Sequence, residues 1–264
     1  MAAFITLTTD LGLSDGYVAA MKGVMLGINP EARLVDICHT IKPQNIAQAA
    51  FVLGQACYLF PQGTVHVVVV DPGVGTERRA VVLKTGSQVF VAPDNGVLSY
   101  VVPRSLGKRG QLGPAAEAVV ISRPQFWRPE VSPTFHGRDI FAPVAAWLSR
   151  GVPVTDFGEV IHSVTVLPLT RPRRMADGSV VGHVIHIDGF GNLISDIKRD
   201  RLPPSEPVTV KVGDYSVSGL SRTYAEGRGL VALMGSEGYL EVALRDGDAS
   251  LLLGAKVGDE VRLS

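Results

Sequence analysis

The stretch Val65 to Arg79, VHVVVVDPGVGTERR, constrains this chain more than any other. It opens as an apolar run of β-branched residues, Val65, Val67, Val68, Val69 and Val70, interrupted only by His66. Such a run, bounded by turn residues, reads as a buried central strand. It stops at Asp71-Pro72-Gly73-Val74-Gly75, because proline cannot continue a ladder and the glycines permit tight backbone paths. Thr76, Glu77, Arg78 and Arg79 follow before another apolar run begins at Ala80. A carboxylate at the carboxyl end of a buried strand, beside a glycine-rich turn and a guanidinium, is where open α/β sheets place their ligands. A capped strand end with surface arginines fits this stretch equally well.

Around that strand the first half of the chain alternates strand and helix patterns. Phe4 to Thr8 is a short apolar strand that runs into Thr9-Asp10-Leu11-Gly12, a turn with a carboxylate at its tip. Ser14-Asp15-Gly16 is positioned to cap a helix from Tyr17 to about Leu26. Arg33 to Ile37 reads as a second buried strand, and Ile46 to Tyr58 carries apolar residues at helical spacing. Val81 to Lys84 and Val89 to Ala92 form a hairpin pattern around Thr85-Gly86-Ser87, followed by the turn Pro93-Asp94-Asn95-Gly96. Gly107 to Gly113 is a polar, glycine-rich loop, and TFHGRD at 134–139 precedes a helix from Ile140 to Ser149. The alternation predicts an α/β domain with a largely parallel central sheet.

The pattern changes at Pro168 to Gly178, PLTRPRRMADG, where two prolines, three arginines and a glycine mark a linker. Beyond it lie short alternating segments, 179–187, 208–212, 215–217, 229–233, 239–243 and 256–263, separated by Gly/Asp turns. These predict a smaller all-β, barrel-like domain. The expected organisation is an α/β domain over 1–167, a linker over 168–178 and a β-barrel domain over 179–264.

With 264 residues, 46% apolar and 19% charged, the chain has material for a substantial core. Lys plus Arg and Asp plus Glu both number 25, which argues against a general nucleic-acid binder or a polybasic membrane partner. Cys38 and Cys57 are the two cysteines, so no disulfide framework is expected. The N-terminus MAAFITLTTDLG has no basic segment and meets Asp10, unlike a signal peptide, and apolar runs fall short of a membrane span. A cytoplasmic protein is expected.

Five polar clusters sit at loop tips: Asp10 with Gly12, Asp71 with Arg78, His136-Gly137-Arg138, Asp188-Gly189-Phe190-Gly191-Asn192, and Gly235-Ser236-Glu237-Gly238-Tyr239. Each alone is compatible with a capped turn. Five tips following apolar strands are harder to assign to capping. His66, His183 and His186 lie inside apolar runs and read as core or strand-face residues. His39 follows Cys38 without further ligands at zinc spacing, so no metal site is expected. DPGVG lacks the lysine and glycine spacing of a phosphate loop, and no serine stands in a nucleophile elbow.

Taken in order, TTDLGLSDGYVAAMKG, VDPGVGTERR, APDNGVL, TFHGRDIFAP, IDGFGNLISDI and GSEGY closely resemble the S-adenosylmethionine hydroxide adenosyltransferases, hydrolytic relatives of the fluorinating and chlorinating enzymes. The resemblance spans almost the whole chain. It implies an N-terminal α/β domain, a C-terminal β-barrel, and a homotrimer whose substrate sites lie between one subunit's N-terminal domain and its neighbour's C-terminal domain. It also implies attack of water on C5′ of S-adenosylmethionine, releasing adenosine and L-methionine without a cofactor. Carried over by motif, Asp71, Arg78 and His136 are the catalytic trio. Asp10 holds the ribose diol and Asn192 the adenine edge. Asp188 and Ser236 bind the methionine end, and Phe190 and Tyr224 are walls. Halide-using relatives carry an aromatic hydroxyl or a small residue where Asp71 stands, and the fluorinating type has Tyr-Ser at His136-Gly137 and a tryptophan at Gln44. A buried carboxylate repels halide and favours water. Glu237 replaces an arginine of the fluorinating type, which leaves it open to bind the methionine ammonium instead.

Overall fold

The computed structural model describes residues 3–102, 110–202 and 208–264. Of the glycine-rich loop expected from Gly107 to Gly113, residues 107–109 lie outside the described residues. The chain divides into two compact units, Met1–Leu167 and Pro168–Ser264.

The first unit runs β1 (Phe4–Thr9), α1 (Tyr17–Ile28), β2 (Arg33–Cys38), α2 (Ile46–Ala56), β3 (Val65–Val69), β4 (Ala80–Thr85), β5 (Gln88–Pro93), β6 (Ala116–Val120), a π-helical turn (Gly137–Phe141) and α3 (Ala142–Ser149). Its six strands order as β2-β1-β3-β5-β4-β6. The β2, β1, β3 and β5 strands pair in parallel, whereas β4 pairs antiparallel with both β5 and β6. The chain leaves β1 toward one side, to β2, and then crosses back to place β3 on the other side. The gap between β1 and β3 is therefore a topological switch point, where open α/β sheets bind ligands outside the strand ends.

β3 is buried along its whole length, as the valine run requires. Val65, Val67 and Val69 face a core shared with Met21 and Met25 of α1 and Val144 of α3. Val68 and Val70 face the opposite layer with Ala49 and Leu53 of α2. Full burial of such a side chain is worth about 1.5–3 kcal/mol, against a β-propensity range of about 1 kcal/mol, so burial on both faces sets this register. His66 is fully buried within the second layer, stacked on Phe90 at 5.1 Å with Nδ1 2.7 Å from Thr6 Oγ1. Burial pushes its pKa down to about 4, so it is a neutral core histidine at physiological pH.

Three local expectations are corrected. β2 is an edge strand with a half-exposed pattern rather than a buried one, because β1 covers only one of its sides. Ser14 and Asp15 do not cap α1; Gly16 occupies that position without a side-chain bond. The segment after His136 starts as a π-helical turn from Gly137 and becomes α-helical only at Ala142. A widened turn of this kind recurs at functional sites.

The second unit contains β7 (Arg173–Arg174), β8 (Val180–Ile187), β9 (Leu193–Lys198), β10 (Thr209–Val212), β11 (Tyr215–Ser218), β12 (Leu230–Met234), β13 (Tyr239–Leu244), α4 (Ala249–Leu253) and β14 (Glu260–Leu263). Its sheet is ordered β11-β10-β14-β8-β9-β13-β12, with β7 on β8. A bridge from Ser221 to Leu233 brings the chain beyond β11 back to β12 and nearly closes the barrel. β7 falls within the stretch read as a linker. β9 and α4 were not legible as elements: Ser195 and Asp196 break the apolar pattern of β9, and α4 is only five residues long. No helix among the described residues is long and apolar enough to cross a membrane.

Candidate active site

Two carboxylates mark the switch point. Thr9 of β1 registers with Val69 of β3. Asp10 follows the first and Asp71 comes two residues after the second, so both leave the carboxyl ends of neighbouring parallel strands. The Asp71 backbone is fixed just upstream by Asn95 Nδ2, which donates to Val70 O at 2.9 Å.

Arg78 reaches back over the Pro72-Gly75 turn to Asp71. Its Nε donates to both carboxylate oxygens at 2.9 Å, and its Nη2 donates to Oδ2. The pair is nearly sealed: the Arg78 side chain is 11% exposed and the Asp71 side chain 5%. The guanidinium also lies over the Phe141 ring, 5.3 Å from its centroid, which lowers the cost of desolvating the cation. The same Nη2 stands 2.9 Å from His136 Nδ1. A guanidinium has donors only, so His136 Nδ1 must accept and the ring proton sits on Nε2. Burial pushes the His136 pKa below its ordinary value, and the Arg78 charge adds to this, outweighing the attraction of Asp71 and Asp139. His136 is therefore held neutral, with Nε2–H as its free donor.

Two glycines let this trio assemble. Gly75 sits at φ +78, and a Cβ there would stand 2.5 Å from Pro133 O, so only glycine lets the Asp71–Arg78 turn approach the His136 loop. A Cβ on Gly137 would meet Val69 Cγ1 at 3.1 Å and Met21 Sδ at 3.3 Å, so the residue after His136 packs directly on β3 and α1.

The loop carrying His136 hangs on Asp139, whose side chain is fully buried. Asp139 accepts from Arg128 Nη1 at 2.9 Å, from Arg138 Nε at 2.6 Å and from Ser132 N at 2.9 Å. Burial alone would raise its pKa; these donors overcome that and hold it down to about 2. Asp139 stood in the quoted TFHGRD motif, but its fixing role was not assigned from sequence. Arg79, read as a surface arginine, has a side chain that is 39% exposed; it pairs with Asp94 and donates to Ser163 O at 3.1 Å.

Asp10 is held by the chain that follows β2. Its Oδ2 accepts from Gln44 N at 2.7 Å, and Gln44 holds an unusual positive φ of 64. The remaining oxygen, Oδ1, is the one left to meet a ligand.

In the second unit, Asp188, Phe190, Asn192 and Tyr224 line one open cleft of about 650 Å³, together with Leu244 and Arg245. Asp188 Oδ1 accepts from Phe190 N at 2.9 Å and Asn192 N at 3.0 Å, and its Oδ2 accepts from Asn192 Nδ2 at 2.9 Å. The turn thus holds Asn192 through Asp188 and leaves Phe190 80% exposed. Tyr224 donates to Glu241 Oε2 at 2.9 Å; burial first, then Glu241 and Asp188, push the tyrosine up to about 12. Glu241 is itself raised by burial, with Asp188 and Glu237 adding to the effect. Sequence reading missed Glu241; its signal was an acidic residue on an otherwise apolar strand, YLEVAL. Ser236 and Glu237 are exposed at the turn between β12 and β13 and do not line the cleft. Among the described residues, no group of three or more His, Cys, Asp or Glu is arranged to hold a metal ion.

The SAM hydroxide adenosyltransferase N-terminal domain matches residues 5–158, and the C-terminal domain of the same family matches residues 182–262. The chain belongs to the SAM hydroxide adenosyltransferase family. Among its relatives is a Salinispora tropica protein named (R)-S-adenosyl-L-methionine hydrolase, 38% identical and matched over 99% of this chain and 97% of its own length. A Methanocaldococcus jannaschii protein of the same name is 35% identical over 98% of this chain and 95% of its own. A Nocardia brasiliensis fluorinase is more distant, at 30% identity over 98% of this chain and 96% of its own. The crystal structure of an uncharacterized conserved protein from Thermotoga maritima superposes with a TM-score of 0.88 at 38% identity, covering 98% of this chain and 99% of that one.

Proposed function

We propose that this family member hydrolyses S-adenosyl-L-methionine by in-line attack of water on C5′, giving adenosine and L-methionine, with a homotrimer as its assembly. The observation that carries the reading is the hydrogen-bonded Asp71–Arg78–His136 constellation at the switch point of the sheet. Its support from relatives is that those at 35–38% identity over nearly the full chain are named as hydrolases.

The sulfonium is already a good leaving group, so the chemistry lacks only a nucleophile at neutral pH. Holding water in line with the C5′–S bond supplies part of the rate by proximity. His136 cannot take the proton through Nδ1, because that lone pair meets Arg78, and its Nε2 already carries one. Asp71 keeps lone pairs beyond those used by Arg78 and is the acceptor left for the proton of the attacking water. Arg78 stabilises the growing hydroxide character of that water, and His136, accepting through Nδ1, holds the guanidinium in place. The proton then passes from Asp71 to solvent as adenosine and methionine leave. A fixed carboxylate at the nucleophile's position repels chloride or fluoride, which favours water over halide. Asp10 receives the ribose diol, and Asn192, Phe190 and Tyr224 receive the adenine. Asp188 with Ser236 and Glu237 takes the methionine end.

Turnover in isotopically labelled water tests the reaction: the label is expected in the adenosine 5′-hydroxyl. Label in methionine alone, or a 5′-halo-adenosine on adding halide, overturns it. The His136 geometry also predicts a pH profile. Its folded-state pKa lies below 6.5, so the unfolded chain binds the extra proton first. Both kcat/KM and the His136 share of stability are therefore full on the alkaline side and fall as pH drops from 6.5 through the lowered value. A kcat/KM profile with an acid limb at or above 6.5 would rule out a neutral, Arg78-bound His136.

A further inference from the structure

We infer that His39, acting through Thr9, is a positioning residue for the Asp10 carboxylate; the inference rests on the reading of Asp10 as the ribose-diol acceptor. Nothing in the catalytic chemistry above uses His39, yet it is 4% exposed and tied on every side. Its Nδ1 is 2.8 Å from Oγ1 of Thr9, the fully buried last residue of β1. Leu11 N donates to that same Oγ1 at 3.2 Å, and Gly12 N donates to the His39 carbonyl at 2.9 Å. Asp10 therefore sits between residues that are all anchored on one imidazole residue.

The far side of the ring fixes the direction of these bonds. His39 Nε2 lies 3.0 Å from Asp36 Oδ1, in an oblique contact that is more electrostatic than a linear hydrogen bond. Lys22 Nζ donates to the other oxygen of Asp36 at 2.6 Å. A carboxylate beside Nε2 favours the tautomer protonated there. Nδ1 then accepts the Thr9 hydroxyl proton, and the hydroxyl oxygen remains free to accept from Leu11 N. The chain Leu11, Thr9, His39, Asp36 thus donates in one sense and ends on the Asp36 carboxylate, into which Lys22 donates from the other side. Gln44 closes the clamp from the other strand connection, since its backbone N–H holds Asp10 Oδ2 at the cost of a left-handed conformation. Together these bonds fix which carboxylate oxygen faces a ligand and in which direction.

Thr9→Val tests this nearly isosterically, with Thr9→Ser as the rescue and Asp36→Asn as a second, surface-accessible perturbation. Kd for adenosine is measured by calorimetry, and KM and kcat are measured with S-adenosylmethionine. Thr9→Val is expected to raise Kd and KM about tenfold with kcat changed less than about threefold, as for loss of one orienting hydrogen bond. Thr9→Ser restores both, and Asp36→Asn moves Kd in the same direction by a smaller factor. Equal Kd and KM in Thr9→Val and the unaltered protein overturn the inference, as does a Thr9→Ser protein as impaired as Thr9→Val, which would make the methyl packing decisive. Failure of the unaltered protein to bind adenosine overturns the ribose reading of Asp10, and this inference with it.

Discussion

Asp71→Asn is expected to lower kcat by about 10²–10⁴-fold, the range for loss of a positioned proton acceptor, with a much smaller change in KM. The substitution keeps shape and one carbonyl oxygen. It replaces the other oxygen by an amide that cannot accept, opposite an Arg78 that cannot stop donating. The attacking water then has no acceptor, because His136 already carries its proton on the free nitrogen. Single-turnover kinetics with S-adenosylmethionine read the chemical step directly. A kcat within about threefold of the unaltered enzyme would show that the proton goes elsewhere and that Asp71 only holds Arg78.

Arg78→Met has the second large effect, and it acts on stability as well as rate. The guanidinium is the counter-charge of a carboxylate whose side chain is 5% exposed. Breaking such a pair by removing one partner costs about 3–5 kcal/mol, because the other charge stays buried and uncompensated. The lower end applies here, since the cluster borders a site that must admit water. Thermal unfolding is expected to fall by about 6–12 °C. Turnover falls too, because hydroxide character loses its cation and His136 Nδ1 loses its donor. Without the Arg78 charge the His136 pKa moves up, which shifts the acid limb of kcat/KM to higher pH. Arg78→Lys restores part of the stability but not the rate, since one ammonium cannot match the planar fork that spans Asp71 and His136. Unchanged melting and turnover in Arg78→Met would remove Arg78 from the site.

Much of this was written in the order of the residues. The valine run announced a strand buried on both faces, because no partly solvated strand tolerates Val67, Val68, Val69 and Val70 in succession. The seven-residue step from Asp71 to Arg78, broken by proline and glycine, announced a turn tight enough to bring the two side chains together. The motif order identified the family before any contact was visible. Alternation, turn chemistry and motif spacing are local properties, and local properties survive in a bare sequence.

What the sequence left open depends on contacts between distant segments. Whether Asp71 is a cap or part of a site turned on strand order: only the crossing of β3 to the far side of β1 creates the switch point beside it. Edge exposure of β2, the pairing of Arg79 with Asp94 and the burial of Glu241 likewise follow from which neighbours pack there, not from their own sequence windows. The division of labour proposed for Asp71 and His136 rests on one approach, Arg78 Nη2 to His136 Nδ1, across 58 residues of chain. A donor-only guanidinium fixes the tautomer, and that tautomer is what supports Asp71 as the proposed acceptor. The residue types came from sequence; their protonation states came from the fold, because a pKa responds to burial and neighbouring charge rather than to position in the chain.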